Sequence, residues 1–300
     1  MDFGRLTMNW RTDWAYPWLS RCPTRLPWTL ATKVGRQAQA SRRLTAEYLK
    51  GQFMQLFPSA SSHQLQAWAK QHETMLALEM LDSLSFGRLG TSSGPQLNVL
   101  GLENATNLKK AGKGFILVLN HLDRLLTAPV ALALNGIQTH VLTMPVDDNP
   151  ELGESDRLFL RRKISEYTRV TGGAWHTTAQ SMRPVLDGLR AGDVWVILAD
   201  AWRPEFKRMR GHAFVGGELQ LPTGVERLAT NARVPMVYAS TETLSHNELL
   251  VRFETLPDDP VLAIDLAIQR LEEAVSARPW AWWHWGQIQH MWQPSAGEVH

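Results

Sequence analysis

Two segments of the chain follow an apolar run with ionisable side chains. Phe115-Ile116-Leu117-Val118-Leu119 leads into Asn120-His121-Leu122-Asp123-Arg124, and Val194-Trp195-Val196-Ile197-Leu198 leads into Ala199-Asp200-Ala201-Trp202-Arg203. In an open α/β sheet, ligands bind beyond the carboxyl ends of the strands, so both runs end where chemistry is expected. An imidazole exchanges a proton close to neutral pH, which makes His121, at the start of the helix expected next, the candidate general base. Asp123 reads either as an acid that serves His121 or as the N-cap of that helix. Asp200, at the other strand end, is a second candidate acid.

Other reaction templates are missing. The sequence has no G-x-G-x-x-G after a strand, no phosphate-binding G-x-x-x-x-G-K-[ST], no H-E-x-x-H and no G-x-S-x-G elbow, since Gly90-Thr91-Ser92-Ser93-Gly94 is a breaker and not the end of an apolar strand run. His284 and His290 lie in a tryptophan-rich stretch at a spacing poor for metal ligation, so packing is the expectation for both. Cys22 is the only cysteine, which excludes an internal disulfide framework and a cysteine-cluster metal site. No metal or bound cofactor is expected. Two basic clusters stand out: Arg157, Arg161, Arg162 and Lys163, then Arg203, Lys207, Arg208 and Arg210. Each reads as a solvated helical face or as an anion site.

The elements that must position these residues follow from periodicity and breakers. Residues 30–52 and 62–89 have helical spacing, with Pro58 between them and Ser61 or Ser62 as an N-cap. After the breaker Gly90-Thr91-Ser92-Ser93-Gly94-Pro95 the pattern changes. Strands are expected at 97–100, 115–119, 140–144, 194–198, 237–240 and 249–254. Helices are expected at 105–111, 125–134, 156–169, 178–190, 225–231 and 261–277, the last stopped by Arg278-Pro279. Such alternation predicts an α/β fold: a mostly parallel mixed sheet flanked by helices on both faces. Residues 1–92 form an N-terminal helical region packed on an α/β core of residues 93–300, within one structural domain.

Composition sets the outer limits. In 300 residues, hydrophobic side chains make up 44% and charged ones 20%, enough apolar material for a large core. A net charge of +2 gives no reason to expect nucleic-acid binding. Nine of the 13 tryptophans lie at the two ends of the chain. The longest uncharged run, 125–146, holds a proline, a glycine and several polar residues, so it reads as helix, turn and strand rather than a membrane span. No secretory signal is visible, and the cysteine usage places the chain inside a cell. At the N-terminus Trp14, Trp18 and Trp28 interleave with Arg11, Arg21 and Arg25. That composition fits either a peripheral anchor on the inner face of the cell membrane or tryptophans packed on the domain.

The order of several motifs carries a resemblance. Arg42-Arg43, Gln55-Leu56-Phe57-Pro58 and Glu79 come first, then Gly101-Leu102-Glu103-Asn104 and Lys113-Gly114-Phe115 through Asn120-His121. Gly192-Asp193-Val194 through Asp200 follows, then Phe214-Val215-Gly216, Leu221-Pro222-Thr223-Gly224 and Val234-Pro235-Met236-Val237. The series closes with Pro279-Trp280 through Trp283-His284-Trp285. Through most of its length the chain resembles the bacterial lipid A late acyltransferases, within the wider glycerolipid acyltransferase superfamily. The resemblance implies a glycerolipid acyltransferase-like fold. It also implies acyl transfer from an acyl-carrier-protein or coenzyme A thioester to a hydroxyl or amine, with His121 as base. In that family an acid five residues after the histidine orients the imidazole. Here that position is Leu126, which leaves Asp123, Asp200 or no acid for the task. The resemblance also implies that residues 206–224 help to bind the acceptor. The substrate-binding expectations are Asn120, Arg124, Arg203, Arg210 and Thr223. A soluble or carrier-bound acceptor, or a silent descendant that binds lipid or carrier protein, are the alternatives.

Overall fold

A computed structural model describes residues 10–37, 46–145 and 153–295. Arg42-Arg43 therefore lies outside the described residues. The first described element is a π-helical turn, Arg11–Ala15, that runs into the short helix α1 (Tyr16–Leu19). Three helices follow: α2 (Leu26–Gln37), α3 (Ala46–Leu56) and α4 (Ser62–Ser83). Ser61 caps α4: its hydroxyl accepts from the Gln64 amide, and the Gln64 side chain accepts from the Ser61 amide, which satisfies two end donors at once.

The α/β part contains β1 (Gln96–Leu100), α5 (Leu102–Lys110), β2 (Phe115–Leu119), α6 (Thr127–Leu134), β3 (His140–Thr143), α7 (Glu154–Thr171) and β4 (Trp175–Thr177). It continues with α8 (Arg183–Ala191), β5 (Val194–Leu198), β6 (Met209–Phe214), β7 (Gly217–Pro222) and α9 (Gly224–Ala232). Then come β8 (Met236–Ser245), β9 (Glu248–Thr255), α10 (Pro260–Ala277), α11 (Ile288–Met291) and β10 (Trp292–Pro294). The main sheet has the order β1-β9-β8-β2-β5-β3-β4. Its five central and far-edge strands, β8, β2, β5, β3 and β4, are mutually parallel, and β9 is antiparallel to β8.

The expected architecture is present: a mostly parallel mixed sheet with helices on both faces. Ile116, Val118, Trp195 and Ile197 pack on one face with α8, α9 and α10; Phe115, Leu117, Val194 and Val196 pack on the other with α6 and α7. Every residue of β2 is buried, so its sequence is a continuous apolar run rather than an alternation. The N-terminal helices join these clusters: Leu49, Phe53 and Leu65 share the first core with the sheet.

Three expectations need correction. The 125–134 helix begins only at Thr127, so residues 120–126 form a loop and His121 is not on a helix. Thr178 and its neighbours precede α8, which starts at Arg183. A second, three-stranded antiparallel sheet, β10-β7-β6, was not expected at all. The loop after β2 bends through two left-handed residues, Asp123 (φ 53°) and Leu126 (φ 66°). An aspartate tolerates that region, whereas a leucine there is strained by roughly 1–2 kcal/mol, held by burial of its side chain.

Candidate active site

His121 sits at the carboxyl end of β2, beside the carboxyl end of β5, because β2 and β5 pair in register from Phe115–Val194 to Leu119–Leu198. Asp200 follows two residues beyond that register and is fully buried. Its carboxylate accepts from the His121 ring Nδ1 (2.9 Å), from the His121 backbone N–H (2.9 and 3.0 Å to the two oxygens) and from Trp282 Nε1 (2.9 Å). Burial pushes the Asp200 pKa up, but the His121 imidazole, its hydrogen bond, His284 and the Trp282 N–H outweigh it and hold the carboxyl down at about 2. Asp200 is therefore ionised at neutral pH and can only accept.

The C-terminal segment completes the arrangement. His284 places Nε2 at 2.9 Å from His121 Nδ1. Burial, and then the proximity of the His121 ring, push the His284 pKa down to about 3, against the pull of Asp200, so His284 is neutral. Proton positions follow from this network. An ionised Asp200 requires a proton on His121 Nδ1, and His284 Nε2 shares that proton as a second acceptor. His121 Nε2 then carries the free lone pair and has no protein partner among the described residues. Backbone pairing fixes the loop itself: Asp123 N–H donates to Ala281 O (2.7 Å), Trp283 N–H donates to His121 O (3.0 Å), and Leu122 bridges to Trp282.

His121 and His284 form part of the wall of a cavity of about 540 Å³ at the carboxyl ends of β2, β3 and β5. Leu142, Met144, Met182, Ile197, Leu198 and Leu228 give it an apolar lining. Arg203, Lys207, Arg208 and Arg227 line it as well, and none of the four side chains has an ion pair or hydrogen bond among the described residues. Apolar walls with a few unpaired polar groups suit a ligand with an aliphatic part and an anionic part.

The remaining sequence candidates divide. Thr223 lines the cavity and its N–H donates to Arg208 O (3.0 Å), tying two lining segments together. Asp123 is buried but faces away from the imidazole: it accepts from Thr243 N–H (2.9 Å), Thr243 Oγ1 (2.5 Å) and Arg278 (2.8 Å). It does not cap α6, whose N-cap is Leu126. Arg124 is fully buried and paired with Asp82, with Nη2 at 2.6 Å from Oδ1, so it has no face for a substrate. Asn120 is buried, donating to Ala267 O (3.1 Å) and to the Tyr238 hydroxyl (3.3 Å). Arg210 is engaged by Glu226 (3.0 Å) and Asp265 (2.5 Å) and does not line the cavity. Leu126 is buried in the second core cluster, outside the cavity.

The first basic cluster serves the fold. Lys163 forms a buried pair with Glu79 (2.5 Å), and Arg162 donates to Thr12 O (3.2 Å). Arg157 and Arg161 are engaged as well. The residue that sequence reasoning missed is His284, read as packing. Its signal was the run Trp282-Trp283-His284-Trp285, which concentrates ring N–H groups, but nothing local connects it to His121.

His121, Asp200 and His284 also form the one cluster among the described residues with metal-ligand potential: one donor atom from each lies within 4.8 Å of the others. Two of those atoms, His121 Nδ1 and the Asp200 carboxylate, are already joined by a proton. Comparison with known proteins adds no family: no protein-family model and no curated protein matches the chain. No helix among the described residues is long and apolar enough to cross a membrane.

Proposed function

We propose that the chain is an acyltransferase that moves an acyl group from an acyl-carrier-protein or coenzyme A thioester to a hydroxyl or amine acceptor. The observation that carries this reading is the orientation of His121: Nδ1 is bonded to ionised Asp200, and Nε2 is left free on a ring that lines the cavity. Nε2 removes the acceptor's proton as its oxygen or nitrogen attacks the thioester carbonyl. Asp200 stabilises the imidazolium that forms, as the buried acid does in other histidine-based acyl-transfer sites. The carbon–sulfur bond then breaks, and His121 returns the proton to the departing thiolate. Arg203, one of the four unpaired cations on the cavity wall, is available to meet negative charge on the carbonyl oxygen or on a phosphate of the donor.

The apolar lining suits an acyl chain, and four free cations suit the phosphates of coenzyme A, or the phosphopantetheine phosphate and acidic surface of a carrier protein. The glycerolipid acyltransferase-like fold that the motif order implies is compatible with the sheet and with helices on both faces. Leu126 departs from the family's acid position, and Asp200, reaching His121 from β5, supplies what that acid would.

Thioester consumption with acyl-carrier-protein and coenzyme A donors tests the reading. His121→Ala is expected to lower turnover by about 10²–10⁴-fold, the usual worth of a positioned base. Equal turnover in wild type and variant would remove the general-base assignment.

A further inference from the structure

Three of the four N-terminal tryptophans face outwards. Trp10, Trp14 and Trp18 are 55%, 67% and 70% exposed, the most exposed tryptophans among the described residues, whereas Trp28 is fully buried with its N–H on Asp82 (2.7 Å). The four-residue spacing puts the exposed three on one face of the helical stretch 10–19. The opposite face is anchored: Thr12, Tyr16 and Leu19 are buried, the latter two against Trp28, Leu78 and Leu81. Asp13 accepts from Ser155 (2.8 Å), and Arg162 donates to the Thr12 carbonyl (3.2 Å). The indoles are thus presented by a segment fixed to the body. Leu26, nearby in sequence, is 55% exposed too.

Topology places this face. β3 and β4 are parallel, so α7 between them starts at the carboxyl ends of the strands and returns to the amino ends. Ser155 lies on its first turn and Arg162 halfway along it, so the stretch 10–19 packs on the half of α7 nearer the end of the sheet that holds the cavity. Within residues 10–25, Arg11, Arg21 and Arg25 outnumber Asp13, whose carboxylate is already bonded, and Arg11 lies 5.8 Å from the Trp10 ring centre. Indoles flanked by arginines partition to the headgroup boundary of a bilayer, and the cations complement anionic lipid.

We propose that the stretch 10–19 seats the protein on an anionic phospholipid surface through Trp10, Trp14 and Trp18, with Arg11 and Arg21 towards the headgroup phosphates. This places the cavity end of the sheet next to the lipid. The proposal concerns binding alone and stands apart from the reaction assigned to His121.

Co-sedimentation of the full chain, without donor or acceptor, tests it on vesicles of phosphatidylcholine alone and of phosphatidylcholine mixed with phosphatidylglycerol. Wild type is expected to sediment with the mixed vesicles and to do so less as salt is raised. Trp14→Ser with Trp18→Ser is expected to weaken binding about tenfold or more, from the apolar area withdrawn from lipid. Its thermal melt should match wild type because both side chains are exposed. Arg11→Glu with Arg21→Glu is expected to reduce binding to the mixed vesicles and leave the phosphatidylcholine result unchanged. Wild type remaining in the supernatant with both vesicles, or either pair of substitutions sedimenting as wild type does, would overturn the proposal. So would a wild-type dimer in sedimentation velocity that Trp14→Ser with Trp18→Ser dissociates, without vesicle affinity in either protein, because the face would then be a contact between copies.

Discussion

Asp200 and Asp123 are both buried, both follow a strand of the main sheet, and each accepts several hydrogen bonds, yet they do different work. Asp200 bonds to His121, whose second ring nitrogen has no protein partner among the described residues and whose ring lines the cavity. Asp123 bonds to Thr243 and Arg278 and joins the loop after β2 to β8 and to the end of α10. Next to it, Arg124 and Asp82 form a pair with no exposure on either side chain. The carboxylates differ in partner rather than in burial. What distinguishes a group positioned for catalysis from one that holds the fold is the partner's access to the cavity.

The contrast can be broken by exchange to the amide. Asp200→Asn is expected to lower turnover by about 10²-fold or more, since an amide neither fixes the imidazole tautomer nor stabilises the imidazolium. Asp123→Asn is expected to change turnover by no more than about threefold. If the two variants lose turnover equally, the distinction between them fails.

Stability should show the reverse emphasis. Asp123→Asn leaves Arg278 without its anionic partner in a part-buried site and is expected to cost about 2–3 kcal/mol in urea unfolding. A smaller effect of another kind belongs to Asp200. Its carboxyl is held at about 2 in the folded chain against an ordinary 3.8. A depressed carboxylate stabilises the fold fully above its unfolded value and loses that contribution as pH falls through the folded one. Roughly 2 kcal/mol should therefore disappear between about pH 4 and pH 2 in wild type, and that part of the acid slope should be absent in Asp200→Asn. Chelation should have the least effect. If the proton between His121 and Asp200 defines the site, exhaustive treatment with EDTA leaves turnover unchanged, and loss of turnover restored by a divalent cation would reassign the cluster to metal.

Much of the frame was legible because its strands are buried on both faces. The runs 115–119 and 194–198 are continuous and apolar, and the ionisable residues after them mark the carboxyl ends. The antiparallel sheet was not legible. Met209–Phe214 carries Arg210, Gly211 and His212, and Gly217–Pro222 alternates around Leu219 and Leu221, so neither reads as a core strand. At the site, His121 and Asp200 could be chosen from their positions. The link between them, and the role of His284, depend on contacts across 79 and 163 residues that no local spacing encodes. Arg124 misled for a related reason: beside His121 in sequence it resembles a substrate cation, and only the approach of α4 shows that Asp82 claims it.

The C-terminal segment has a consequence for biosynthesis. Its residues 281–284 pair with the loop after β2, donate to Asp200 and place a ring against His121, while β10 closes the smaller sheet on β7. A nascent chain can assemble most of the main sheet while these residues are still inside the ribosome, because domains fold as their segments emerge. It cannot assemble the site. Translation must pass His284 before the loop after β2 is fixed, so a fragment stopped short of Trp282 would be a folded sheet with an unformed centre.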